Sequence, residues 1–169
     1  MMKKIILSLG MALTCIIASA QQGDMSIGAN LTYGFDANQL GLGPKFQYRL
    51  DEQWRGEASF NYFFEKNYTT AWDVNANVHY LFPLEYDLTI YPLVGLTYYH
   101  WSTDIDSHAL GLLHDNLSTS SGKLGLNLGC GLEYPITHDF RATAELKYQY
   151  VNKADQLVLS VGLLWNIDF

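Results

Sequence analysis

QLVLSVGLLWNIDF, residues 156–169, places Leu157, Leu159, Val161, Leu163, Trp165, Ile167 and Phe169 at every second position. Successive side chains of an extended strand point to opposite faces, so these residues share one side, and that side is wholly apolar. The intervening residues, Gln156, Val158, Ser160, Gly162, Leu164, Asn166 and Asp168, are smaller and mixed to polar. A strand this long, uncharged on one face and water-tolerant on the other, reads as a wall between hydrocarbon and water.

Working backwards, the same pattern recurs in segments of about ten residues separated by turn-forming clusters. Strands are predicted at about Asp24–Phe35, Gly41–Leu50, Trp54–Phe64, Ala71–Phe82, Leu88–Trp101, Lys123–Tyr134 and Phe140–Val151. The third and fourth alternate most cleanly: Ala58, Phe60, Tyr62 and Phe64 stand against Arg55, Glu57, Ser59 and Asn61, and Trp72, Val74, Ala76 and Val78 against Asp73, Asn75, Asn77 and His79. Pro44 and Pro92 cannot donate to a ladder and are expected at a rim or a bulge. With the last strand the count is eight, the smallest usual size for an outer-membrane barrel. The predicted fold is all-β, an eight-stranded antiparallel up-and-down transmembrane β-barrel.

Composition agrees. Of 169 residues, 49% are hydrophobic and only 16% charged, against roughly a quarter charged in soluble domains. The net charge of −7 argues against a nucleic-acid partner, because no basic face is available to neutralise phosphates. Residues 1–20 read as a cleaved signal peptide: Lys3 and Lys4, an apolar core from Ile5 to Ile17, and Ala18-Ser19-Ala20 before Gln21. A lipoprotein signal at Cys15 fits poorly, since Ala12 and Thr14 occupy positions where such a motif carries Leu and a small residue. Residues 21–169 then form the barrel, with Cys130 as its lone cysteine. No later apolar run approaches the roughly 18 residues of a membrane helix.

A soluble eight-stranded barrel would expose its charges and line a cavity with apolar faces. Here the arrangement is reversed. Lys45, Arg49, Arg55, Glu57, Asp73, Lys123, Glu133, Arg141, Glu145 and Lys147 all fall on the smaller, polar faces. A Lys or Arg on the lipid face costs about 2–4 kcal/mol at the midplane. Aromatics on the apolar faces gather in two belts, Tyr33, Phe35, Tyr62, Phe64, Trp72, Tyr98, Tyr148 and Tyr150 at one end and Tyr48, Trp54, Tyr80, Tyr134, Phe140, Trp165 and Phe169 at the other. Rings with one wet and one dry edge concentrate at the headgroup level.

Eight strands leave an interior only wide enough for side chains to fill. The ten charges there must neutralise one another, because an unpaired buried charge is costly. Glu57, Glu133 and Glu145 are the natural partners of Lys45, Arg49, Arg55, Arg141 and Lys147, with the pairing left open. Such a network either plugs and stabilises the barrel or forms a gated ion path. Gly125, Gly129, Gly131 and Gly162 are expected to leave interior space.

GLEYPIT (residues 131–137), AELKYQY (144–150), DLTIYPLVG (87–95) and the closing strand together resemble the small OmpA/OmpX-like outer-membrane barrel superfamily. That resemblance implies outer-membrane localisation, both termini in the periplasm, and contact with outer-membrane lipid and lipopolysaccharide. It also implies a C-terminal signal, Leu163, Trp165, Ile167 and Phe169, read by the barrel-assembly machinery. Glu145 and Lys147 reverse the order of signs that members often carry on the seventh strand, so no gate pairing transfers. With Phe169 closing the last strand, the peptidoglycan-binding domain that follows some members' barrels is not expected here.

The longest expected loop, Ser102 to Ser121, holds Asp104, Asp106, His108, His114 and Asp115 around the apolar Ala109–Leu113, and is the candidate surface for an extracellular ligand. Its spacing matches no known cation loop. His100-Trp101-Ser102 resembles the His-x-Ser of outer-membrane lipid A deacylases, but Thr103 replaces that motif's Asn and no Glu follows until Glu133. The resulting expectation is a non-enzymatic barrel presenting loops for adhesion, defence or envelope integrity, with no catalytic residues, cofactor or metal. A narrow porin-like channel is the alternative.

Overall fold

The computed structural model describes residues 24–66, 69–105, 117–152 and 154–167. The expected signal peptide, residues 1–20, residues 106–116 of the expected loop, and Phe169 lie outside them.

Eight long strands form the wall: β1 (Met25–Gly34), β2 (Gln39–Arg49), β3 (Trp54–Lys66), β4 (Thr69–Tyr80), β6 (Thr89–Ile105), β7 (Leu117–Pro135), β8 (Phe140–Val151) and β9 (Gln156–Ile167). A two-residue strand, β5 (Phe82–Pro83), and a single 3-10 turn (Glu85–Asp87) connect β4 to β6. Each of the eight long strands pairs antiparallel with the next long strand in the chain, and β1 pairs with β9 from Met25↔Ile167 to Gly34↔Val158, closing the sheet. The barrel is therefore the expected one, an eight-stranded antiparallel meander without a free edge.

Alternation sets the two surfaces. On β7, Leu124, Leu126, Leu128, Leu132 and Tyr134 face outward and are exposed, while Asn127, Gly131 and Glu133 face the bore and are buried. The outward aromatics form the two expected rims. Trp54 packs edge-on to Tyr80 at 4.9 Å at the end bearing the chain termini, and Trp72 lies 5.6 Å from Tyr98 towards the opposite end. The first is called the terminal end below and the second the loop end.

Both prolines sit where the ladder is interrupted. Pro92 follows the last β4–β6 pair on the way to the terminal end, His79↔Leu93, and lies opposite the break between β4 and β5. Gly43 and Pro44 fall in a gap of the β2–β3 ladder between Leu42↔Tyr62 and Lys45↔Ser59. A side chain at Gly43 would meet the Phe60 carbonyl, so the strands approach too closely there for any other residue.

The expected loop 102–121 is shorter than its composition suggests. The β6–β7 ladder runs on through Trp101↔Ser121 and Thr103↔Thr119 to Ile105↔Leu117. Ser and Thr in this stretch continue a hairpin rather than a turn.

Candidate functional site in the barrel interior

Between the Phe63–Tyr99 cluster and the Arg55–Glu133–Arg141 arrangement the bore is filled by side chains, and its filling changes character along the axis. At the loop end Phe63, Ala71, Tyr99 and Val151 form an apolar cluster, with Trp101 and Ala154 against it. The Phe63 and Tyr99 rings meet edge-on at 6.1 Å. These residues occupy the inward phase of their strands, where the sequence otherwise places polar groups.

Beneath this cluster lies a layer of carboxamides around one carboxylate. Asp73 is fully buried. Its Oδ1 accepts from Asn61 Nδ2 at 2.6 Å and Asn75 Nδ2 at 2.8 Å, and its Oδ2 from Gln149 Nε2 at 3.0 Å. Asn127 donates to Asn75 and Asn77, Gln156 to Gln149, and Asn30 to Asn61. An amide both donates and accepts, so such a layer bonds largely within itself, with the Asn30 and Asn127 amide oxygens left without a partner among the described residues.

The charged layer comes next. Lys45 Nζ lies 2.7 Å from Glu145 and 3.2 Å from Glu57, bridging β2 to β8 and β3. Glu57 also accepts from Gln47 Nε2 at 2.8 Å and Asn77 Nδ2 at 3.0 Å, and Glu145 accepts from the Tyr91 hydroxyl at 2.8 Å. Nearer the terminal end, Glu133 accepts from Arg141 Nη1 at 2.6 Å on one oxygen and from Arg55 Nη1 on the other. Arg55 lies over the Tyr91 ring at 4.7 Å, and His79 stacks on the same ring at 4.6 Å. Gly131 makes this possible, because a Cβ there would collide with the Tyr91 ring.

The sequence expectation of six cations and four anions in the interior changes in the structure. Arg49 sits at the terminal rim, half-exposed and 3.8 Å from Asp24, and Lys123 sits near the loop end, donating to the Asn152 carbonyl at 2.8 Å. Both share the inward phase but stand where the bore opens. Among the described residues the buried charges are then four cations, Lys45, Arg55, Arg141 and Lys147, and four carboxylates, Glu57, Asp73, Glu133 and Glu145. Lys147 forms no ion pair within 4 Å among the described residues and acts on Glu57 and Glu145 at longer range.

Nor do the four glycines leave space. The Tyr91 ring fills the place beside Gly131, Val151 and Thr97 that beside Gly125, the Lys147 stem that beside Gly129, and the Thr143 hydroxyl that beside Gly162. The sequence reading passed over Phe63, Tyr91, Leu93, Tyr99 and the buried carboxamides as working parts. Their signal was present, since all occupy the inward phase, but they carry no charge to draw notice.

Glu57, His79 and Glu145 offer ligand atoms within 4.8 Å of one another, a spacing that suits a divalent cation. The Lys45 ammonium touches both carboxylates, however, so the position of positive charge is already taken by the protein itself. His100 faces outward and stacks on Trp72 at 5.1 Å. Among the described residues no carboxylate pairs with it, so the acid that would orient it in a Ser-His arrangement is not at hand.

A closed eight-stranded meander with an apolar outer wall, aromatic rims and a polar packed bore is an outer-membrane β-barrel. Residues 6–166 match the model of the outer membrane protein beta-barrel domain, and the chain belongs to that family. No curated protein matches it by sequence. Among solved structures it is similar to the N-terminal β-barrel domain of Pseudomonas aeruginosa OprF, at 20% identity and a TM-score of 0.67, over 86% of this chain and 100% of that one. A major outer membrane protein of Thermus thermophilus gives 14% and 0.66, over 87% and 100%. Ail, the attachment invasion locus protein of Yersinia pestis, gives 18% and 0.61, over 86% and 97%. At these identities the likeness is one of fold. The protein resides in the outer membrane.

Proposed function

We propose that this is a non-enzymatic outer-membrane barrel that acts through what it presents at its loop end, in adhesion, defence or envelope integrity, while its interior serves as a stabilising plug. The observation that carries this reading is the filled bore. The Phe63, Tyr99 and Val151 cluster, the carboxamide layer and the paired charges succeed one another along the axis with their side chains in contact. A wall of eight strands has no room left for an open channel once such side chains are in place.

The terminal end faces the periplasm on this reading. Its connections, 50–53, 81–88 and 136–139, have at most eight residues, whereas the longest connection, 106–116, joins β6 to β7 at the other end, and periplasmic turns are the short ones. The outward faces meet outer-membrane lipid and lipopolysaccharide. Leu163, Trp165 and Ile167, together with Phe169, form the signal for the assembly machinery after removal of residues 1–20. The similarly folded Ail is named for attachment and has been solved with the heparin analogue sucrose octasulfate, which supports a binding role as the reading for this barrel.

A narrow channel is the second reading, favoured by Lys147, buried without a close ion pair. Conductance across a planar bilayer separates the two. The refolded protein, checked by its heat-dependent gel mobility, is expected to insert without steady current. Reproducible steps that change in Glu145→Gln would reject the plug and make the charged layer a gate.

A further inference from the structure

Three of the ten Lys and Arg residues in this acidic chain converge at one mouth. Arg49, Arg55 and Arg141 line a cavity of about 230 Å³ at the terminal end, together with Asp24, Ser26 and His138. Its floor is the Arg55–Glu133–Arg141 arrangement, behind which Leu81, Tyr91 and Leu93 pack as an apolar cluster. The cavity is thus a blind pocket opening towards the end that carries the chain termini.

A guanidinium carries five N–H donors and no acceptor. Arg55 directs its donors to Glu133 and His79. Arg141 gives one nitrogen to Glu133 and one to Ser26, while its buried Nε has no partner. Among the described residues Arg49 pairs with Asp24 alone, at 3.8 Å, longer than a hydrogen bond. Among the described residues, three guanidiniums therefore meet the carboxylates of Asp24 and Glu133, and Arg49 and the Nε of Arg141 keep donors to spare.

We infer that this cavity binds a small oxyanion, a phosphate or carboxylate group, clamped between Arg49 and Arg141. The size supports a group of few heavy atoms: the pocket is well above the roughly 30 Å³ share of one water and below the roughly 300 Å³ at which drug-sized pockets begin. Arginine forks match planar and tetrahedral oxyanions with two parallel hydrogen bonds. The occupant is either a free periplasmic solute or the headgroup of a lipid at the rim. Nothing has to traverse the bore, so the site is independent of whether the barrel conducts.

The test is a titration of the mature, refolded barrel with inorganic phosphate in maltoside micelles, followed through arginine side-chain NMR signals, with chloride at matched ionic strength as control. Saturable shifts of Arg49 and Arg141 at millimolar phosphate are expected, the range that a pair of charge-assisted hydrogen bonds supports. Arg49→Gln, which leaves the Glu133 pairs intact, should weaken binding about tenfold while heat-dependent mobility is unchanged. Arg49→Lys, which keeps the charge but not the fork, should fall between. Repeating the titration in phosphatidylglycerol nanodiscs assigns the source. Loss of the phosphate response there identifies a lipid headgroup as occupant, and its persistence a free solute. Linear shifts without saturation, shifts equal to those in chloride, or an unaltered Arg49→Gln affinity would overturn the proposal.

Discussion

The two halves of the bore solve one problem by different means. Towards the terminal end, buried charge is matched with buried charge: Lys45 with Glu57 and Glu145, Arg55 and Arg141 with Glu133. Towards the loop end, the single carboxylate Asp73 is held by three amides, and Asn30, Asn127 and Gln156 each donate to a neighbouring amide. Ion pairs are strong in a low-dielectric setting but leave a severe deficit when one partner is lost. Amides share the load, because each can turn a donor or an acceptor to a neighbour. The terminal half is therefore the brittle one, and the loop half the tolerant one.

The sharpest way to break this contrast is Glu133→Gln, which leaves two guanidiniums, Arg55 and Arg141, buried without a carboxylate. A loss of about 3–5 kcal/mol is expected, read as a shift in the urea midpoint for unfolding from phospholipid vesicles. A loss below that of the next variant would show that the charged half is not the brittle one. Gln149→Leu removes the donor to Asp73 Oδ2 and should cost about 1–3 kcal/mol in the same assay, the penalty for one unsatisfied buried group. The smallest effect belongs to the rim. Arg49→Gln breaks a half-exposed pair with Asp24 and should change stability by about 0–1 kcal/mol, which is also what makes it a clean probe of the oxyanion pocket.

The sequence showed which face each residue takes but not the height at which it stands or the strand it meets across the bore. Period-two alternation put Lys45 and Glu145 on the inner surface, yet their contact joins β2 to β8, set by the shear of a closed sheet rather than by any local pattern. Arg49 and Lys123 share that phase and differ only in depth, so periodicity counted them with the interior. The same rule explains the glycines. Gly131 reads as vacant space in one dimension and is the seat of the Tyr91 ring in three. The wall was legible because lipid imposes one demand on every outward position, whereas the filling answers to partners far away in the chain.

The extension of β6 and β7 past their neighbours has a consequence for reach. From Trp101↔Ser121 to Ile105↔Leu117 the ladder climbs four residues, roughly 13 Å at the rise of a strand. Replacing a loop of twenty residues by one about half as long relieves only about 0.6 kcal/mol of closure entropy, too little to explain the added hairpin. What the hairpin supplies is a pedestal: it carries Ile105 and Leu117, where the chain leaves and rejoins the sheet, beyond the level at which Trp72 and Tyr98 meet.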